Sequence, residues 1–211
     1  MIKAIIFDFD GVIVDTEIDR FKFIQKELTK YNIILDDSIL PNIFGKKTSE
    51  ALKELIPNIS EDIIREVNAK RQIYIQEKIL ELKPLQYIKE LLEQLSSKYK
   101  IGLTTGSESI VVNKFLDHND LTKYFNVITT GEMFKSSKPD SECYKITLKK
   151  LDINPSETII VEDSEAGISA GKNAGCKVFG LKNKYNSKQI KNADKVFNDY
   201  KEMLKHFREI Y

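Results

Sequence analysis

The chain has 211 residues, 41% hydrophobic and 31% charged, with 33 basic against 32 acidic residues and a formal net charge of +1. That length buries a core without staples, no apolar window reaches the ~18 residues of a membrane span, and the even balance gives no bulk field for nucleic acid or an anionic membrane. Two cysteines, Cys143 and Cys176, make neither a disulfide framework nor a zinc site, and the short N-terminal apolar run is followed at once by acids, so the expected home is cytoplasmic.

In chain order, Lys3 to Asp8 is a continuous apolar run ending in acids, the pattern of a strand buried on both faces of a parallel sheet. From Thr16 to Leu82 only helical spacing follows. Phe21, Ile24, Leu28 and Tyr31 make one stripe, Ala51, Leu52, Leu55 and Ile56 a second, and Ile64, Val67, Ile75, Ile79 and Leu82 a third that starts near Ser60. Pro41, Pro57 and Pro84 fall between or after these units. Ile88, Leu91, Leu92 and Leu95 predict the next helix, Lys100 to Thr105 a strand, and Ile110, Val111, Lys114, Phe115 and Leu116 another helix. A strand at Asn126 to Thr130 precedes a helix on Tyr144, Leu148 and Leu151, with Ser141 as its expected N-cap, and strands follow at Thr158 to Glu162 and Lys177 to Leu181. This alternation predicts an α/β fold, a doubly wound parallel sheet formed by residues 1–15 and 83–211. An inserted α-helical cap, residues 16–82, interrupts it after the first strand.

In an open parallel sheet, ligands sit at the carboxyl ends of the strands. Here those ends read Asp8-Phe9-Asp10-Gly11, Thr104-Thr105-Gly106-Ser107 and Glu162-Asp163-Ser164, with Ser137-Lys138-Pro139 just after the third strand. Asp8 and Asp10, two apart on an extended segment, point the same way. Two converging carboxylates repel, and a divalent cation resolves the conflict. Magnesium takes hard oxygen ligands and keeps waters and phosphate oxygens; Asp8, a backbone carbonyl near Asp10, and Asp163 can supply the protein share, with Glu162 a direct or indirect partner. Taken singly, each acidic stretch reads as a turn former. Gly11 and Gly106 read as tight turns with close backbone approach, His118 and His206 as surface residues, and the two cysteines as small core fillers.

As a set, Asp8-Phe9-Asp10-Gly11-Val12, Thr105, Lys138-Pro139 and Glu162-Asp163-Ser164 resemble, in order and spacing, the four motifs of the haloacid-dehalogenase superfamily of phosphohydrolases. The helical insert after the first motif and the stretch Asp163 to Gly171 resemble its β-phosphoglucomutase-like branch. The resemblance implies an Asp8 nucleophile that forms an aspartyl-phosphate, with Lys138 and Mg2+ neutralising charge. Thr105 and the amides near Gly106 would hold phosphoryl oxygens, and Asp10 would act as general acid and then general base. The dehalogenases and phosphonate hydrolases of the same fold lack the second acid, so Asp10 favours C–O–P chemistry.

The expected activity is therefore Mg2+-dependent hydrolysis of a small phosphorylated metabolite, a sugar phosphate among the candidates, by a monomer with no nucleic-acid or membrane partner. A β-phosphoglucomutase-type phosphomutase is the alternative enzyme, and a non-catalytic phospho-ligand-binding protein the alternative of another class. The β-phosphoglucomutases carry a histidine where Arg20 stands, an arginine where Thr48 stands, and a lysine roughly where Gln72 stands, three departures that weigh against the mutase, although Lys46, Lys47 or Arg71 can substitute. Arginine is scarce, 4 residues against 29 lysines, and Arg20, one helical turn after Asp15-Thr16-Glu17, is positioned either to bind a substrate carboxylate or second phosphate or to pair with Glu17 or Asp19.

Overall fold

The computed structural model describes residues 1–39 and 48–210. Six parallel strands run in the order β3-β2-β1-β4-β5-β6, with β1 at Ala4–Phe7, β2 at Lys100–Thr104, β3 at Val127–Thr129, β4 at Thr158–Glu162, β5 at Lys177–Leu181 and β6 at Lys195–Phe197. All four residues of β1 are fully buried, as a central strand covered on both faces must be. The period of two sorts its side chains: Ile5 and Phe7 join one core layer, Ala4 and Ile6 the other. Ile159 and Val161 of β4 likewise face the first layer, and Ile160 the second.

Helices cover both faces. α4 (Ile88–Ser96), α5 (Ser109–His118) and α8 (Tyr200–Ile210) pack on the Ile5–Phe7 side. α6 (Glu142–Leu151) and α7 (Glu165–Asn173) pack on the Ala4–Ile6 side, where Cys143 and Cys176 are free and buried. The predicted doubly wound α/β core is thus observed, and β4 and β5 match their expected bounds at both ends. The short strand β6 was not predicted, because three residues with Lys195 at their head carry too little apolar periodicity to register.

Side-chain detail differs in three places. α5 buries Val111, Val112, Phe115 and Leu116, while Ile110 and Lys114 are exposed. Ser141 precedes α6 but makes no capping bond, its backbone being already helical at φ −83°, ψ −1°. His206 is buried rather than on the surface, its ring lying against Phe179, Phe197 and Phe207 with Nδ1 2.8 Å from Lys195 Nζ. A single histidine inside a helix gives no sequence sign of which face it occupies.

Between β1 and β2 lie α1 (Glu17–Leu28), α2 (Thr48–Leu55) and α3 (Glu61–Lys78). Ser60 caps α3 by accepting from Ile63 N at 3.2 Å. Ile24, Leu28, Leu52, Ile64 and Val67 bury one another, and Phe21 packs with Ala51. Tyr31, expected on the α1 stripe, falls in a short 3-10 turn beyond it. The two chain passages that join these helices to the sheet touch through an antiparallel bridge between Val14 and Pro84, and Leu85 N donates to Ile13 O at 2.9 Å. Higher up, Gln72 and Gln76 of α3 donate to the carboxylate of Glu108, the residue before α5, at 2.7 and 3.2 Å. Pro41, Lys46 and Lys47 lie outside the described residues. No described helix is long and apolar enough to cross a membrane.

Candidate active site

The sheet edge where β1, β2 and β4 end opens into a cavity of about 570 Å3 beneath α1 and α3. Asp8, Asp10, Thr105, Gly106, Lys138 and Asp163 all line it, as do Arg20, Thr48, Arg71 and Gln72. Residues spread over 155 positions of sequence meet there because the strand ends are adjacent in the sheet: Phe7 pairs with both Leu103 and Val161.

Asp8 directly follows β1 and shares the face of Ile6, the α6 side. Lys138 Nζ donates to Asp8 Oδ1 at 2.7 Å and to Glu162 Oε1 at 2.6 Å. Its ammonium lies 4.9 Å from the centroid of the Tyr144 ring. Burial alone would depress the lysine, but the Asp8 and Glu162 carboxylates outweigh it and hold Lys138 well above the usual ammonium range. The Lys138–Pro139 peptide is cis.

Glu162 is fully buried on the same sheet face. It accepts from Lys138 Nζ and Tyr144 OH at Oε1, and from Asp163 N, Ser164 N and Ser164 Oγ at Oε2. Both oxygens are committed, so Glu162 fits the positioning of Lys138 better than direct metal ligation. A Cβ on Gly167, in the first turn of α7, would sit 1.8 Å from Glu162 Oε1. The glycine there is the space the carboxylate needs.

Asp10 is held differently from Asp8. Thr16 Oγ1 donates to its Oδ1 at 2.5 Å, and Ser107 Oγ and Thr105 Oγ1 donate to its Oδ2 at 2.6 and 3.3 Å. Thr105 lies just past β2, its hydroxyl also accepting from Ser107 N at 2.9 Å. Thr104, one residue earlier, faces the other way and shares a 2.6 Å hydrogen bond with Thr147 of α6. Gly11 has φ +77°, and a Cβ there would meet Asp163 Oδ2 at 2.0 Å. Gly106 differs: a Cβ on it would meet nothing within 4 Å, and the close backbone approach expected there is the one made by its carbonyl, 2.4 Å from where a Cβ on Gly131 would stand.

The carboxylates of Asp8, Glu162 and Asp163 lie within 4.8 Å of one another and are all buried. The Asp10 carboxylate is not in this group, being taken up by hydroxyls, which leaves its backbone carbonyl as the ligand expected from the sequence. Burial pushes Asp8 up to about 8, against the pull of Lys138 and with the help of Glu162 and Asp10. Asp163 rises well above the carboxylate range, first from burial and then from Glu162 and Asp8. Three buried acids share one ammonium, and hard oxygen donors short of positive charge fit a divalent cation.

Sequence reasoning passed over several contributors. Asn183 Nδ2 donates to Asp163 Oδ2 at 3.1 Å, and Asn186 Nδ2 donates to Asp163 O at 2.8 Å. These come from the loop after β5, whose Asn-rich composition reads only as a turn. Ser107 and Thr16 were visible beside known motif residues, but their hydroxyls needed the fold to show that both converge on Asp10.

Arg20 pairs with Glu17, Nη2 donating to Oε2, and still lines the cavity. Glu17 is itself buried, and burial pushes its carboxyl up to about 7 although Arg20 works against this; Asp10 and Asp15 add to the rise and Arg71 opposes it. A carboxyl raised in the folded state stabilises most below its unfolded pKa near 4.5, and that contribution is lost as pH climbs through about 7. Glu17→Gln should therefore gain stability relative to the parent between pH 5 and 8, by roughly 2–3 kcal/mol at most. Paired thermal melts at the two pH values check this, and a difference independent of pH would remove the assignment.

A profile of the haloacid dehalogenase-like hydrolases matches residues 5–181. The chain is 31% identical to the phosphorylated carbohydrates phosphatase of Thermotoga maritima over 185 residues, covering 85% of each chain. It is 30% identical to the phosphoglycolate phosphatase of Aquifex aeolicus over 178 residues, covering 83% of this chain and 82% of that one. Among solved structures, the β-phosphoglucomutase of Clostridium difficile superposes with a TM-score of 0.79 at 28% identity, over 99% of this chain and 96% of that one. The chain belongs to the haloacid dehalogenase-like hydrolase family, and within it is a phosphatase.

Proposed function

We propose that the protein is a Mg2+-dependent phosphomonoester hydrolase that works through an aspartyl-phosphate on Asp8, with a small phosphorylated metabolite as substrate. The observation that carries this reading is the juxtaposition of Asp8, Lys138 and a hydroxyl-held Asp10 in one cavity. The phosphatases of phosphorylated carbohydrates and phosphoglycolate among its relatives support the substrate class.

Asp8 attacks phosphorus through Oδ2, since Lys138 occupies Oδ1 and no described hydrogen bond reaches the other oxygen. Lys138 offsets the charge of the incoming phosphoryl group, and Thr105 with the Gly106 amide stand where phosphoryl oxygens would lie. Asp10 gives its proton to the leaving alkoxide and then takes one from the water that opens the aspartyl-phosphate. The pairs Thr16–Asp10 and Ser107–Asp10 keep that carboxyl aimed into the cavity in both half-reactions. Asp8, Asp163 and the backbone carbonyl of Asp10 would hold Mg2+, which supplies charge neutralisation when bound. Residues 16–82 act as a cap hinged where Val14 bridges Pro84, and the Gln72 and Gln76 bonds to Glu108 hold it down.

Turnover of p-nitrophenyl phosphate should be lost in EDTA and restored by Mg2+. Full activity in EDTA would overturn the metal assignment. Primed interconversion of hexose 1- and 6-phosphates faster than hydrolysis would favour the mutase instead.

A further inference from the structure

Two of the chain's four arginines, Arg20 of α1 and Arg71 of α3, enter the cavity that holds Asp8. Each has a buried Nε with no hydrogen-bond partner. Arg20 is tied to Glu17 through its other end. Arg71 has no carboxylate within ion-pair distance among the described residues. Burial and then the neighbouring Arg20 guanidinium both work against its charge, while Asp10, Glu17 and Glu108 favour it from farther away.

None of those three acids is hydrogen-bonded to Arg71, and each has partners of its own. Asp10 takes the hydroxyls of Thr16, Thr105 and Ser107; Glu108 takes the amides of Gln72 and Gln76; Glu17 takes Arg20. A long-range field lowers the cost of the charge but gives the buried Nε–H no acceptor, and an unmade bond in a desolvated site is expensive. Guanidinium is a planar fork matched to a carboxylate or phosphoryl group. Lys138 and Asp8 take the transferred phosphoryl group at the sheet edge, so the arginines on the helices meet the other end of the substrate.

We propose that Arg20 and Arg71 form a second anion subsite, so that the natural substrate is a phosphomonoester bearing a carboxylate or a second phosphoryl group at the end away from Asp8. This rests on the phosphatase reading above and narrows it. Thr48 and Gln72 line the same cavity and offer neutral donors beside the two cations.

The test measures binding without turnover. Calorimetry on the Asp8→Asn chain with Mg2+ compares glucose 6-phosphate, whose far end is neutral, with 6-phosphogluconate and glucose 1,6-bisphosphate. One or both anionic-ended ligands should bind about tenfold or more tighter than glucose 6-phosphate, and which of them does tells carboxylate from phosphate. Adding Arg71→Met, and separately Arg20→Met, should bring the ratio toward one. Arg71→Lys, which keeps the charge and loses the fork, should give an intermediate ratio and covers the case in which Arg71→Met does not fold. Equal affinity for all three ligands, or a preference that survives both arginine substitutions, would overturn the subsite. Turnover of p-nitrophenyl phosphate by the parent chain is scored separately, so a failed phosphatase reading shows as no hydrolysis while the binding ratio still reports on the arginines.

Discussion

Asp8→Asn should lower hydrolysis of p-nitrophenyl phosphate by about 10^4-fold or more, into the background of the assay. The substitution changes little besides the electron pair that attacks. The amide oxygen can still accept from Lys138, which now lies 2.7 Å from Oδ1, and the side chain keeps its volume under a strand end that is closely packed. Removing a covalent nucleophile from an otherwise intact site leaves only binding and polarisation, and such losses span several orders of magnitude. Stability should not fall in metal-free buffer, because the amide removes one of three mutually repelling buried carboxylates. Rapid-quench trapping of a phosphorylated chain supplies the second readout: label on the parent and none on the variant. Activity of Asp8→Asn within tenfold of the parent would sink the nucleophile assignment, and loss of activity together with loss of the folded state would be read from the thermal melt.

The core was legible because its signals are short in range. Short apolar runs marked five of the six strands, two of them running into acids, and helical spacing marked what lay between. In the fold Asp8 and Glu162 share Lys138 on one sheet face, where the Tyr144 hydroxyl also reaches Glu162. The motif set grouped Asp8, Asp10, Thr105, Lys138 and Asp163, and all five line one cavity in the fold. The hydroxyls that hold Asp10 were not legible, since those of Thr16, Thr105 and Ser107 converge on it only in the fold. Nor was Asn183, which reaches Asp163 from a loop 20 residues on, since long-range polar pairing leaves no period. Glycine shows the same divide. Gly11 and Gly106 look alike in sequence, yet only Gly11 has the positive φ and the blocked Cβ position that forbid a side chain.

Glu162→Gln should be the more damaging change to the fold, and should cost about 10^2-fold or more in kcat as well. Five donors converge on this carboxylate: Lys138, Tyr144, Asp163 N, Ser164 N and the Ser164 hydroxyl. An amide has one acceptor oxygen and one donor group. In either orientation its NH2 meets donors, against Lys138 and Tyr144 on one side or the Asp163 and Ser164 amides on the other. Truncating one partner of a buried, hydrogen-bonded charge pair costs about 3–5 kcal/mol, and there is no room to swing away, since Gly167 is already in contact with the carboxylate. Lys138 then keeps Asp8 alone as counter-ion and shifts toward it, which displaces the ammonium from the phosphoryl position. Urea denaturation should show the stability loss with an unchanged slope. If folding is intact and the kcat loss appears with KM nearly unchanged, Glu162 acts through Lys138 on the transition state. Glu162→Asp separates charge from reach: the shorter acid keeps its acceptors but cannot span Lys138 and the Ser164 amide together, so it should recover stability in part and kcat hardly at all. Near-parental kcat in Glu162→Gln would show that Lys138 needs no second counter-ion and would remove Glu162 from the site.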